Sequence, residues 1–420
     1  MAAAACATGW GDLTAAIIQG IVPKLADCGV KNLRLVCRHW RAVIDHDLES
    51  LTPTEPHTRA LVLRFPNLKV LHLTNCANVR NRDLQTISSS GLALHTLTLG
   101  DDSKKPWVTN EGLACVAQIT TLTSLSLHDC NGVTNNGIAA LTRLQRLASL
   151  SLQRCGKLTS AALTPLQHHV ALTSLQLRGC RLTGKGLAPL LQLQLVSLHL
   201  GDVRVRDEGM TYVARMTTLQ ELHVDHEEVS DAGVSQLTTL TRLESLALRD
   251  CRDVSGDALN ALIPALPCLR SLDLYRQYTM TDVQLSRCME YLGALTFLDL
   301  RGTPVTEGGV GQLTRLTSLQ KLCLSPTQEC LWSPFLGVVS SLTQLISLSI
   351  NNCTPVTLGQ LDSLQRLKLL RELDLSHDSP RLDDGGQLSR QQPINPTAIQ
   401  SMACITTLTS IDLSRCESGL

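Results

Sequence analysis

Cysteine, histidine and carboxylate side chains are the groups that could do chemistry in this chain, and their spacing narrows what that chemistry is. There are 16 cysteines and 12 histidines in 420 residues. A structural zinc site would want CxxC pairs, and the sequence contains none. The densest run of donors is His223-Val-Asp225-His226-Glu-Glu228. On a strand, alternation puts His223 and Asp225 on one face while His226 begins the following loop, so the run does not converge on an ion. His168-His169 falls in a helix-to-strand turn and reads as solvated. Cys37 lies in an apolar helical stripe, where catalysis is not expected. No phosphate-cradling loop and no GxSxG elbow occurs. The expectation is therefore a chain with no catalytic residue, no metal and no cofactor.

The elements that hold these residues come from a repeat. The unit LxxLxL recurs with leading leucines at 68, 94, 122, 147, 172, 195, 219, 243, 269, 295, 319, 345, 370 and 408, which is 14 copies spaced by 23 to 28 residues apart from a last gap of 38. In Leu125-Ser-Leu127 apolar and polar residues alternate, the period of a strand with one buried face. A second signal follows, as in Val133-Thr-Asn-Asn-Gly-Ile138, Leu182-Thr-Gly-Lys-Gly-Leu187, Val229-Ser-Asp-Ala-Gly-Val234 and Val305-Thr-Glu-Gly-Gly-Val310. Thr134, Thr183, Ser230 and Thr306 are suited to cap a short helix, because a hydroxyl accepts from its free amides. One strand and one helix cannot bury an apolar face alone, so the units must stack. The spacing predicts an α/β solenoid, a leucine-rich-repeat horseshoe of about 14 strand–helix units with strands on its inner face. Seven cysteines (Cys76, Cys130, Cys155, Cys180, Cys251, Cys353 and Cys416) sit three positions after the last apolar residue of a strand. There a reduced thiol turns inward and fills the core.

Before the repeats the pattern changes. Leu13, Ile17, Ile21 and Leu25 are spaced by four, one face of a helix. Leu33, Val36, Cys37, Trp40 and Ile44 form a second stripe, ringed by Lys31, Arg34, Arg38 and Arg41. The segment from Leu13-Thr-Ala-Ala-Ile-Ile-Gln-Gly-Ile21 to Leu33-Arg-Leu-Val-Cys-Arg-His-Trp40 resembles an F-box, and the repeats with their cysteines resemble the leucine-rich repeats of F-box proteins over roughly residues 67–416. Thr14 stands where that family usually has proline, and Pro23 falls late in the first helix. The resemblance implies that Leu13, Ile17, Ile18, Ile21, Val36 and Trp40 contact a Skp-type adaptor, and through it a cullin. A plain helical cap on the first repeat is the other reading. Residues 1–9 read as a disordered N-terminus, 10–50 as the F-box-like helices, 51–66 as a proline-containing connector and 67–420 as the repeats. Insertions are expected near 100–108, where Trp107 lacks an evident reason, and near 377–397.

Most inner-face positions hold small residues, among them Ser124, Ser126, Ser149, Ser151, Ser197, Ser245, Ser347 and Ser349. The exceptions cluster on neighbouring strands about 4.8 Å apart. They are His223, Asp225, Asp273, Tyr275, Phe297, Asp299 and Arg301, with Arg276 and Tyr278 at the rim. Tyrosine, phenylalanine and arginine anchor interfaces, and only 3% of this chain is aromatic. These nine residues are the candidate contact for a target protein. Lys+Arg and Asp+Glu are both 37, so no global field draws the chain to nucleic acid or an acidic membrane. No run reaches the roughly 18 apolar residues of a membrane span. The opening Met-Ala-Ala-Ala-Ala-Cys lacks a basic signal region and a glycine at position 2, so a cytoplasmic or nuclear location is expected. By resemblance the chain is a substrate receptor of a Skp–cullin–F-box ubiquitin ligase. A repeat scaffold or inhibitor without a ubiquitin link fits the same repeats, and a bacterial effector imitating host F-box proteins would carry the same residues.

Overall fold

The computed structural model describes residues 38–53, 58–74, 76, 79–100, 107–225, 228–325, 332–351, 362–376 and 405–414. Its chain divides into two compact units, Met1–Arg181 and Leu182–Leu420. The described residues form fifteen parallel strands that follow one another in chain order. The first unit carries β1 (Ser50–Leu51), β2 (Val70–Leu73), β3 (Thr96–Gly100), β4 (Ser124–His128), β5 (Ser149–Gln153) and β6 (Ser174–Arg178). The second carries β7 (Ser197–Gly201), β8 (Glu221–Asp225), β9 (Ser245–Arg249), β10 (Ser271–Asp273), β11 (Phe297–Asp299), β12 (Lys321–Leu324), β13 (Ser347–Ile350), β14 (Glu372–Asp374) and β15 (Ser410–Asp412). This is the strand-and-helix repeat of a leucine-rich-repeat solenoid.

Neighbouring strands pair without slippage: Leu125 faces Leu150, and Leu150 faces Leu175. A one-residue slip would turn every buried leucine to the open face. The leucines of the LxxLxL units are buried up to β14, with Leu125, Leu150, Leu175, Leu222 and Leu246 all at 1% exposure or less, whereas Ile411 of β15 is 44% exposed. Cys76, Cys130, Cys155, Cys180 and Cys251 are all buried. Three of them reach across to the preceding repeat, where Cys155, Cys180 and Cys251 donate to the carbonyls of Leu127, Leu152 and Val224 at 3.7–3.8 Å. Cys353 and Cys416 lie outside the described residues.

Two local expectations need correction. The stretch 51–66 is more than a connector, because Leu51 pairs with Leu71 and Thr58–Arg64 is a helix. This unit has no LxxLxL to announce it, so its strand is legible only through its pairing. The helix caps divide as well. Ser230 and Thr306 accept from helix amides two residues on, but Thr134 and Thr183 make no such bond. Thr134 bonds to the preceding repeat instead: Asn110 donates to its hydroxyl at 2.9 Å and accepts its N–H at 2.9 Å. The same clamp joins Asn81 to Thr109, Asn135 to Thr159, Asp207 to Ser230, Asp231 to Ser255 and Asp282 to Thr306. It also accounts for the glycine three residues after several of these caps. A Cβ at Gly112 or Gly137 would lie 2.6 Å from the clamping Oδ1 of Asn81 or Asn110, and Gly233 and Gly309 meet Asp207 and Asp282 in the same way.

Candidate functional site

In the second unit, three registers of side chains run across the open face of the sheet. Pairing puts His199 opposite His223, Asp225 opposite Arg249, Asp273 opposite Asp299, and Phe297 opposite Lys321. The same registers continue through Glu372, Asp374, Ser410 and Asp412. The nine residues expected to form one patch therefore fall into two groups.

The larger group centres on Tyr275. The guanidiniums of Arg276 and Arg301 lie 5.2 and 5.5 Å from its ring centre, close enough for cation–π attraction. Lys321 lies 5.9 Å from the ring of Phe297, and Arg252 lies 5.9 Å from that of Tyr278 at the rim. Asp273 and Asp299 belong here, but as supports. They are 3% and 1% exposed, and their carboxylates are already engaged. Asp273 holds Arg249 at 2.5–2.7 Å and accepts the N–H of Tyr275 at 3.0 Å. Asp299 holds Arg301 through both Nε and Nη2 and accepts its N–H at 2.9 Å. The outer side of this group is thus guanidinium and aromatic ring, with the acids behind them. Burial and the neighbouring charge of Asp273 push the Asp299 carboxyl up against the pull of Arg301, and burial is the larger influence. Burial opposes the charge on Arg301, but the bidentate bond to Asp299 outweighs it and raises its pKa. The two-point geometry is that of a charged pair.

These aspartates also set the strand lengths. Asp273, Asp299, Asp374 and Asp412 each accept the N–H two residues on, and each ends a strand of three residues. The side chain offers that amide a local partner, the usual way aspartate competes with a sheet ladder. Arg276 then takes a left-handed backbone at φ 57°, and Gly302 occupies the equivalent place one repeat later at φ 72°.

The smaller group is His199, Glu221 and His223. The two imidazoles stack with centres 4.0 Å apart and planes 19° from parallel. The Nε2 of each lies 3.2 Å from Glu221 Oε1, while Ser197 donates to Glu221 Oε2 at 2.8 Å. Burial, and next the charge of His199, push His223 down to about 4. For Glu221 burial acts upward but is outweighed by the Ser197 hydrogen bond and the charges of both histidines, so its pKa is lowered. Asp225 faces Arg249 in the register, and His226 lies outside the described residues. Glu228 pairs with Arg206 at 2.6 Å.

A hollow of about 370 Å³ opens beside the first group. Its basic end is Arg249, Arg301 and Lys321, and its acidic end is Glu372, Asp374 and Asp412. Sequence reasoning missed His199, Glu221, Arg249, Lys321, Glu372, Asp374 and Asp412. Each stands at a position that the LxxLxL register marks as open-faced, so reading one column across all repeats would have found them.

Elsewhere, Trp107 has a reason after all: the guanidinium of Arg80 lies 4.3 Å from its ring centre. His169 is not solvated but 0% exposed, with Nδ1 3.2 Å from the carbonyl of Leu144. Leu13, Ile17, Ile18, Ile21, Val36 and Cys37 lie outside the described residues, as do residues 1–9, 101–106 and 377–404. Trp40 belongs to the helix Arg38–Asp47. That helix buries Ile44 and Asp45, and Asp45 pairs with Arg64 of the helix Thr58–Arg64. Among the described residues no helix is long and apolar enough to cross a membrane.

Residues 118–141 and 169–191 match the family described as Leucine Rich repeat. No curated protein matches the sequence. Among solved structures, an internalin of Listeria monocytogenes aligns at 17% identity and a TM-score of 0.40, over 96% of this chain and 94% of that one. A TLR13–ssRNA13 complex aligns at 17% identity and a TM-score of 0.40, over 90% of this chain and 59% of the TLR13 chain. The present chain thus spans less than two thirds of that second protein.

Proposed function

We propose that this leucine-rich-repeat solenoid is a non-catalytic receptor that holds a protein partner on the open strand face of its second unit. The observation that carries this reading is the concentration of Tyr275, Phe297, Arg249, Arg301 and Lys321 beside one hollow, against a face of serines elsewhere. Rigid aromatic and arginine side chains give the most binding per residue. The buried Asp273 and Asp299 hold their arginines in place before a partner arrives, which lowers the ordering cost of binding. The bipolar hollow fits an extended segment with acidic residues over β9–β12 and basic residues over β14 and β15.

The finer reading rests on the resemblance of residues 13–40 to an F-box. On it, Leu13, Ile17, Ile18, Ile21, Val36 and Trp40 dock a Skp-type adaptor and thereby a cullin, and the partner on the strand face is a target for ubiquitin transfer. The receptor then acts by proximity, raising the target's effective concentration at a ubiquitin-loaded enzyme. A scaffold without a ubiquitin link is favoured by one observation of its own: Ile44, Asp45 and Arg64 tie the helix Arg38–Asp47 to the first repeats, as a cap would be tied.

The experiment is comparative co-purification. Proteins held by the wild-type chain should be lost from a Tyr275→Ser, Phe297→Ser variant and kept by a Ser126→Ala, Ser149→Ala variant. Equal recovery by both variants contradicts the assignment of the face.

A further inference from the structure

We propose that His199, Glu221 and His223 bind a divalent transition-metal ion of the zinc class on the open face of β7 and β8. The donors come from two strands in direct register, His199 opposite His223 and Ser197 opposite Glu221. Glu221 and His223 are two residues apart and so share a face. Their ligand atoms all lie within 4.8 Å of one another. Both Nε2 atoms stand 3.2 Å from the same oxygen, Glu221 Oε1. A tetrahedral zinc ion with bonds near 2.0–2.1 Å sets its ligand atoms about 3.3 Å apart, close to both Nε2–Oε1 distances. Because the rings stack with planes 19° from parallel, binding would turn one imidazole out of the stack so that both ring planes meet the ion. Ser197 holds Oε2, which leaves Oε1 to face the rings. His199 Nε2 is buried and lies 3.2 Å from the Glu221 carboxylate in a geometry short of a good hydrogen bond, a contact that an ion between the two would improve.

The donor set selects the metal. Two imidazoles and one carboxylate suit zinc and its neighbours, whereas calcium and magnesium want oxygen ligands throughout. Three protein ligands leave a fourth position open to water or to a side chain of a bound partner. The run His223 to Glu228 is not the site, because Glu228 is occupied by Arg206. The inference stands whether or not the chain is a ligase receptor, since no adaptor or target enters it.

The test titrates zinc into the metal-free full chain against a chromophoric chelator, beside His199→Ala, Glu221→Ala and His223→Ala. A His128→Ala variant is the control, and thermal melting of each metal-free protein checks its fold. The wild type and the control should bind one more equivalent than the three site variants, or bind it at least roughly tenfold more tightly, a loss seen even for groups that only support a ligand. Cobalt in place of zinc should give visible bands without a thiolate charge-transfer band. Equal binding by all five proteins overturns the proposal, as does a thiolate band that survives the site substitutions, which would place the ion on cysteine.

Discussion

At the scale of single residues, the open face depends on acids buried beneath its arginines. Arg301 and Asp299 make a bidentate pair whose carboxylate is 1% exposed. Arg301→Ala leaves that charge buried and unpaired, which should cost about 3 kcal/mol of stability; adding Asp299→Asn should restore most of it. Denaturant midpoints of the single and double variants check this. Arg276 is the converse case. It holds φ 57°, a backbone that costs a non-glycine residue about 1 kcal/mol, so Arg276→Gly should leave the melting temperature unchanged or raise it while removing a cation from Tyr275. His169 supplies a dependence on pH. Burial lowers its native pKa below the ordinary 6.5, so just below that pH the unfolded chain binds more protons than the folded one. Its contribution to stability is therefore complete above pH 6.5 and declines as pH falls from there toward the lowered native value. His169→Leu should flatten that decline in melts across the window, and leucine suits the site because equivalent positions hold Ile119, Leu144 and Leu240.

At the scale of elements, the repeat was legible and its lateral partners were not. LxxLxL marks fourteen of the fifteen strands because alternation is a local signal; β1 has only Ser50 and Leu51, and nothing local marks it. Thr134 reads as a helix cap for the same local reason, yet its partner Asn110 lies 24 residues earlier. Asp282→Ala removes two bonds to Thr306 and should cost about 2 kcal/mol. Gly309→Ala should also destabilise, since its Cβ would meet both Asp282 and Val305 Cγ1, and the pair should cost less than the sum because the carboxylate's share of the clash goes while that of Val305 stays. A double-mutant cycle in denaturant reads the difference.

At the scale of the whole molecule, balanced charge said only that no global field steers partners; it could not show that the second unit sorts its charges along one face. The nine expected contact residues were read strand by strand; the structure brings the ring centre of Tyr275 to 5.5 Å from the guanidinium of Arg301, and Arg301 and Phe297 line the same hollow. Asp273 and Asp299 are supports, because burial depends on the side chains around them and not on strand position. His223 belongs with His199 and Glu221, a grouping that only the register between strands reveals. The joining of an adaptor-binding segment to a target-binding face is the central claim. Its most direct measurement is binding of purified Skp-type adaptor to the full chain and to a Val36→Glu, Trp40→Ala variant of equal thermal stability. The expected result is a complex with the full chain that the variant fails to form. A well-folded full chain that does not bind the adaptor would contradict it, and would leave the helix Arg38–Asp47 as the cap of a plain repeat scaffold.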